Sequence, residues 1–183
     1  MKKIAFGVSL FVLTLSLKAQ RLHSPNGNFE LLFSIKEGMP FYNLKYKGNV
    51  VLEDSKLGLR LFDDTYVHFA SENATILSNS SNLDRGFTKS SEQRDSKKEF
   101  WQPVLGEKKT YANYYNELSV TLNQTSSDRN LIIRFRLFDD GLGFRYEFPY
   151  QKKNEHFRIK EEDTEFDFPA DMKAWWIVAD YDS

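Results

Sequence analysis

LIIRFRLFDDGLGFRYEF, Leu131 to Phe148, is the stretch whose reading decides the fold. Successive side chains of an extended strand point to opposite faces. Ile133, Phe135 and Leu137 therefore share one face, with Arg134 and Arg136 on the other. Asp139-Asp140-Gly141 supplies turn chemistry. Beyond it Phe144, Tyr146 and Phe148 alternate with Arg145 and Glu147. Two alternating runs around a turn predict a β-hairpin with an apolar face toward a core and a row of arginines and a glutamate across its open face. Pro149 ends it.

The same period of two recurs outward along the chain. Phe29, Leu31, Phe33 and Ile35 share a face, and Tyr42, Leu44 and Tyr46 alternate with Asn43 and Lys45. Lys47-Gly48-Asn49 reads as a turn and Val50-Val51-Leu52 as the returning strand. Leu57, Leu59 and Leu61 repeat the pattern, as do Leu118, Val120 and Leu122. Alternation of this kind means strands with one buried and one wet face. No stretch carries a helical stripe. Between Glu72 and Ser96 the apolar period fades and serine and asparagine cluster around Ser78 to Asn82, so long loops with one or two edge strands are expected there. Many short strands separated by turn signals indicate an all-β sandwich or barrel. No linker divides residues 20–183, which form one domain on this reading.

Residues 1–19 are set apart from the fold. Met1, Lys2 and Lys3 are followed by an apolar run from Ile4 to Leu17 and by Lys18-Ala19 ahead of Gln20. That is the layout of a secretory signal peptide, and the run is too short for a membrane span, which takes about 20 apolar residues. A lipoprotein would carry a cysteine just after the cleavage point, and the chain has no cysteine. A periplasmic or secreted protein with no disulfides must be held by its own core. The formal net charge of −1 predicts neither a nucleic-acid nor an anionic-membrane partner.

Few residues have spacing that dictates chemistry. His23, His68 and His156 lie far apart, and no nucleophile elbow, phosphate loop or dinucleotide fingerprint is present. Asp139-Asp140-Gly141 lacks the ligand intervals of an EF-hand. Asn73, Asn79 and Asn123 open N-x-S/T triplets that read as polar loops. Glu161-Glu162-Asp163-Thr164-Glu165 could attract a hard cation, but charge runs are usually solvent-facing and a solvated turn is expected. Paired carboxylates can drive glycoside hydrolysis, yet spacing selects no pair here. Trp101, Trp175 and Trp176 are the aromatic candidates for sugar stacking, with core packing as the alternative. Adjacent Trp175 and Trp176 would point to opposite faces of a strand, so at least one is expected in the core.

Four motifs in order carry a resemblance. They are Trp101-Gln102-Pro103-Val104 with Gly106-Glu107-Lys108; Asn113 with Tyr115-Asn116-Glu117-Leu118; Phe138 to Phe148; and Ala174-Trp175-Trp176-Ile177 with Ala179-Asp180-Tyr181-Asp182. Together they resemble the N-terminal domain of glycoside hydrolase family 97, the SusB-like α-glucosidases and α-galactosidases of Bacteroidetes, over about Leu22 to Ser183. Leu105 stands where that family usually has tryptophan, Tyr114 where histidine is common, and Val178 where proline is usual.

The resemblance implies a large antiparallel β-sandwich, supersandwich-like, followed by a TIM barrel that holds the catalytic acid and the base or nucleophile. It also implies a catalytic Ca2+ held mostly by barrel glutamates, with one ligand from just past the Asp180–Asp182 motif. On that reading the aromatic and acidic run from Met172 to Ser183 leads toward the active site and the chain stops short of the barrel. No catalytic and no metal residue is then carried by residues 20–183. Trp101, Trp175, Trp176, Asp180 and Asp182 are the candidates for the carbohydrate or domain interface. The expected partners are the missing barrel and, through it, α-linked glucosides or galactosides. Two other readings stand beside this one: a stand-alone carbohydrate-binding module, and a truncated remnant without function.

Overall fold

The computed structural model describes residues 19–62, 65–70, 73–78, 82–151, 157–170 and 172–173, with the backbone alone at 65–70 and 73–78. These residues contain twelve strands and no helix. β1 (Gln20–His23), β2 (Phe29–Lys36), β3 (Met39–Tyr46) and β4 (Asn49–Lys56) form one four-stranded antiparallel meander. β5 (Leu59–Leu61) leaves it. β6 (Thr65–Ala70) and β7 (Asn73–Ser78) make a separate hairpin. β8 (Phe87–Trp101), β9 (Tyr111–Gln124), β10 (Arg129–Phe138) and β11 (Leu142–Glu147) build a second four-stranded sheet, and β12 (Ile159–Glu162) returns to pair with β5.

The turns follow from local chemistry. Lys36 pairs with Met39 and Tyr46 with Asn49, which leaves two-residue loops at Glu37-Gly38 and Lys47-Gly48. All four of these residues have positive φ, between 48° and 82°. Two successive left-handed residues give the primed turn whose twist matches that of the flanking strands, and glycine enters it without steric cost.

The two sheets bury their alternating faces against each other. Leu31, Phe33, Tyr42 and Leu44 come from the first; Leu118, Val120, Leu122, Leu131, Ile133, Phe135 and Leu137 come from the second. The predicted hairpin is present in register, with Phe135 opposite Phe144 and Arg134 opposite Arg145. Phe135 sits at the centre of the core, its ring 5.7 Å from Phe33, 6.2 Å from Tyr42 and 6.0 Å from Phe144. The buried Tyr42 hydroxyl donates to the Glu165 carbonyl at 2.9 Å, so its polar end is satisfied. Burial pushes its pKa up to about 12.

The region from Glu72 to Ser96 holds the one or two edge strands expected there, but with more strand and less loop than expected. Asn73–Ser78 is a strand, and Phe87–Trp101 runs for 15 residues as an edge strand. Apart from Phe87, every residue of β8 is exposed. Its conformation is set by the backbone ladder to β9, so it carries no apolar period to read. The acidic run is likewise not a simple turn. Glu161 and Glu162 lie in β12, and the segment beyond it lies along β4, with Glu165 N donating to the Lys56 carbonyl and Glu53 N to that of Asp167. This covers an edge that would otherwise offer unpaired backbone groups.

Removing the central ring should be costly. Phe135→Ala is expected to destabilise the domain by about 3–5 kcal/mol, as large-to-small core changes do. Tyr150→Ala, at a residue 91% exposed, should stay within about 0.5 kcal/mol. Urea unfolding of both variants checks this; equal losses would take Phe135 out of its central role.

Candidate functional site on the outer sheet face

Register places a single set of side chains on the solvent side of the second sheet. Residues directly opposite in an antiparallel pair share a face. Trp101 lies opposite Tyr111, Lys97 opposite Tyr115, and Tyr115 opposite Phe138. One step further, Glu117 lies opposite Arg136, and Arg136 opposite Gly143. The next rung is Ser119, Arg134 and Arg145. An aromatic end and a charged end therefore belong to one continuous surface.

The charged end is a network of two glutamates and three arginines. Arg134 grips Glu147 with two parallel bonds, from Nε at 2.5 Å and Nη2 at 3.0 Å, and reaches Glu117 through Nη1. Arg136 Nε donates to Glu117 at 2.8 Å, and Arg145 Nε to Glu147 at 2.7 Å. Bidentate guanidinium–carboxylate pairs are the strong, directional members of their class. The guanidinium of Arg134, helped by Arg145, holds the Glu147 carboxyl down to about 2 against the opposing pull of burial. Arg134 and Arg136 are in turn raised by their bonds to Glu147 and Glu117 respectively. Arg136 also lies over the Tyr115 ring, 4.5 Å from its centroid. The sequence points to the arginines and Glu147, but Glu117 becomes part of this network only once the β9–β10 register is known.

The aromatic end is an arm. Pairing of β8 with β9 continues from Lys98–Tyr114 to Trp101–Tyr111, past the last β10 partner at Tyr115. Trp101 stacks on Tyr111 at 5.0 Å and 18° on one face, and Phe100 meets Tyr114 edge-on at 5.5 Å. Lys98 sits over Tyr114 at 4.9 Å. Trp101 is nonetheless 53% exposed, and at the tip Val104 and Leu105 are 99% and 90% exposed. Of the other interface candidates, Trp175, Trp176, Asp180 and Asp182 lie outside the described residues, as does the stretch 1–18.

A second polar region lies where β5 and β12 meet residues 82–85. A cavity of about 420 Å³ there is lined by Lys56, Arg60, Arg85, Asp84, Asp163 and Glu165, among others. Asp84 is buried; burial pushes its pKa up, but Arg85 at 2.9 Å and Lys56 at 3.5 Å outweigh it and the carboxyl stays low. Arg60 donates to both oxygens of Asp163. The charges cancel within the cavity, which fastens strands together. Among the described residues no group of three or more His, Cys, Asp or Glu could hold a metal ion. The Ca2+ implied by the resemblance finds no ligand set there.

The family model described as Glycosyl-hydrolase 97 N-terminal matches residues 22–183. The chain belongs to this family. Among solved structures it is similar to a glycoside hydrolase family 97 enzyme from Pseudoalteromonas sp. strain K8, seen in complex with panose and with acarbose. Identity is 27%, the TM-score is 0.69, and the match covers 82% of this chain and 20% of that one. A β-arabinopyranosidase shares the fold at 23% identity and a TM-score of 0.67, over 82% of this chain and 21% of its own. The chain thus spans about a fifth of the length of the enzymes it matches. The first three of the four motifs noted in the sequence of this family 97 domain supply Trp101 and Val104 to the arm and Glu117, Arg145 and Glu147 to the arginine–glutamate face, whereas Arg134 and Arg136 lie just ahead of the third.

The pH dependence of the network follows from Glu147. A carboxyl whose folded pKa is depressed adds stability that is complete above its unfolded value and is lost as pH falls through the folded one. Here that window runs from about 4.5 down to about 2. The stability gap between wild type and Glu147→Gln should be constant at neutral pH and shrink across this window. Urea unfolding at a series of pH values measures it, and a gap that stays flat to pH 2 would mean that the ion pair adds no stability.

Proposed function

We propose that this family 97 domain is the front end of an exported, calcium-dependent α-glycoside hydrolase, and that it packs on the catalytic barrel through the β8–β9 arm. The observation that carries this reading is the arm itself. A two-stranded ribbon is marginal in water, and this one ends in bare Val104 and Leu105 beside half-exposed Trp101. Apolar side chains gathered at a projecting tip are what a domain interface covers. The covering surface we propose is the barrel that the family resemblance implies, and relatives about four times as long leave room for it. The panose and acarbose complexes of the Pseudoalteromonas enzyme support an α-glucosidase type. The signal-peptide layout of residues 1–19 supports a periplasmic or secreted location. In this division of labour the acid, the base and most calcium ligands sit in the barrel, and this domain shapes the approach to them.

Assays of the longer protein and of the 183-residue chain on α-glucosides and α-galactosides test the proposal. The longer protein should cleave one of them, lose that activity on chelation and regain it with Ca2+; the chain alone should be silent. Cleavage of neither substrate, or activity indifferent to chelation, would sink it.

The exposure of Trp101 keeps a second reading in view, a carbohydrate-binding module acting alone. On that reading malto-oligosaccharides titrated into the chain would change tryptophan fluorescence in a saturable way, with loss of the signal in Trp101→Ala. A flat response to millimolar sugar is the outcome expected here.

A further inference from the structure

The outer face contains a groove bordered by the arginines of the ion-pair network and apart from the tip of the arm. It has a volume of about 260 Å³ and is lined by Arg134, Arg136, Arg145, Phe138, Phe144 and Gly143. Gly143 makes the opening. It lies opposite Arg136 in the β10–β11 ladder, and a methyl group built on it would meet nothing nearer than the Phe138 ring at 4.0 Å. Any larger residue in this strand would stand in the groove and close it. The wall at that point is the Phe138 ring and strand backbone, since Phe144 turns its ring inward onto Phe135.

The donors above this floor are only partly spent. Arg134 uses Nε and both terminal nitrogens on Glu117 and Glu147. Arg136 uses Nε alone, and its two terminal nitrogens have no partner among the described residues. Arg145 directs Nε and Nη2 at Glu147, which leaves Nη1. Three guanidinium charges face two carboxylates, so one positive charge remains beside an apolar floor. Arg136 is 38% and Arg145 62% exposed, and both can reach a ligand in the groove. Its place over the Tyr115 ring restrains Arg136 and lowers the entropy lost when its donors engage. Planar guanidinium donors match a carboxylate, and the aromatic wall of Phe138 matches the apolar face of a ring.

We propose that this groove binds a small carboxylate carried on a ring, with sugar acids as the ligand class, independently of any catalytic barrel. The carboxylate is held by Arg136 and Arg145, and the ring lies over the space that Gly143 leaves against Phe138. The site is separate from the apolar tip of the arm.

The 183-residue chain itself serves for the test, titrated with D-glucuronate at constant ionic strength while the arginine Nε–Hε and backbone resonances are followed by NMR. Saturable shifts centred on Arg136, Gly143 and Arg145 are expected with D-glucuronate, none with D-glucose, and weaker binding with acetate. Gly143→Val should abolish binding and keep the melting temperature at or above that of wild type, because valine suits an edge strand and its Cβ meets nothing nearer than 4.0 Å. Arg136→Gln should weaken binding at least tenfold. Shifts that fail to saturate, that D-glucose or added chloride reproduces, or that survive in a folded Gly143→Val variant would overturn the site. Acetate binding as tight as D-glucuronate would overturn the role given to the ring.

Discussion

The packing of Phe135 between the two sheets is the contact on which the remaining geometry rests. Phe33 and Tyr42 reach it from the first sheet and Phe144 from its own neighbour strand. Because side chains alternate along a strand, burying Phe135 turns Arg134 and Arg136 outward. The β9 and β11 ladders then carry that choice to Glu117, Gly143 and Arg145. A slip of one residue in β10 would bury two arginines and expose Ile133, Phe135 and Leu137. Hydrophobic burial thereby fixes the polar surface as firmly as it fixes the core.

The sandwich is chemically two-sided. The first sheet has its outer edge covered by residues 163–167. The second sheet presents a charged network, a groove and a projecting aromatic arm on its free face. Residues with the chemistry to contact something else are concentrated there, whereas the cavity around Asp84 uses equal numbers of opposite charges to join elements of the domain to each other.

What the sequence disclosed depended on apolar contrast. The hairpin of β10 and β11, the core faces of β2, β3 and β9, and the Lys47-Gly48 turn were all legible, because each places Leu, Ile, Val or Phe opposite polar residues or supplies turn chemistry. Of β8 only the presence of an edge strand in that region was expected, and its position and length were not legible, since an edge strand held by backbone bonds and lined with Lys, Glu, Ser and Gln resembles a loop in composition. β12 hid within an acidic run for the same reason. Within the site, Trp101 could be found by residue type. The role of Glu117, the opening at Gly143 and the arm as a free ribbon depend on which strands lie side by side, and that is a property of the tertiary register. Trp175, Trp176, Asp180 and Asp182 lie outside the described residues.

The strip along β4 has a consequence for how the domain is made. Tyr42 bonds to Glu165 and Ser55 to Asp167, contacts that span 123 and 112 positions of chain. Closing such loops costs entropy before the contacts repay it, and domains rich in distant pairings fold slowly. The four strands of the first sheet can zip locally as they emerge, but their last edge has to wait for almost the whole domain. Until residues 163–167 arrive, a nascent chain carries an open strand edge. Such an edge is what a chaperone would shield and what another unfinished copy could capture.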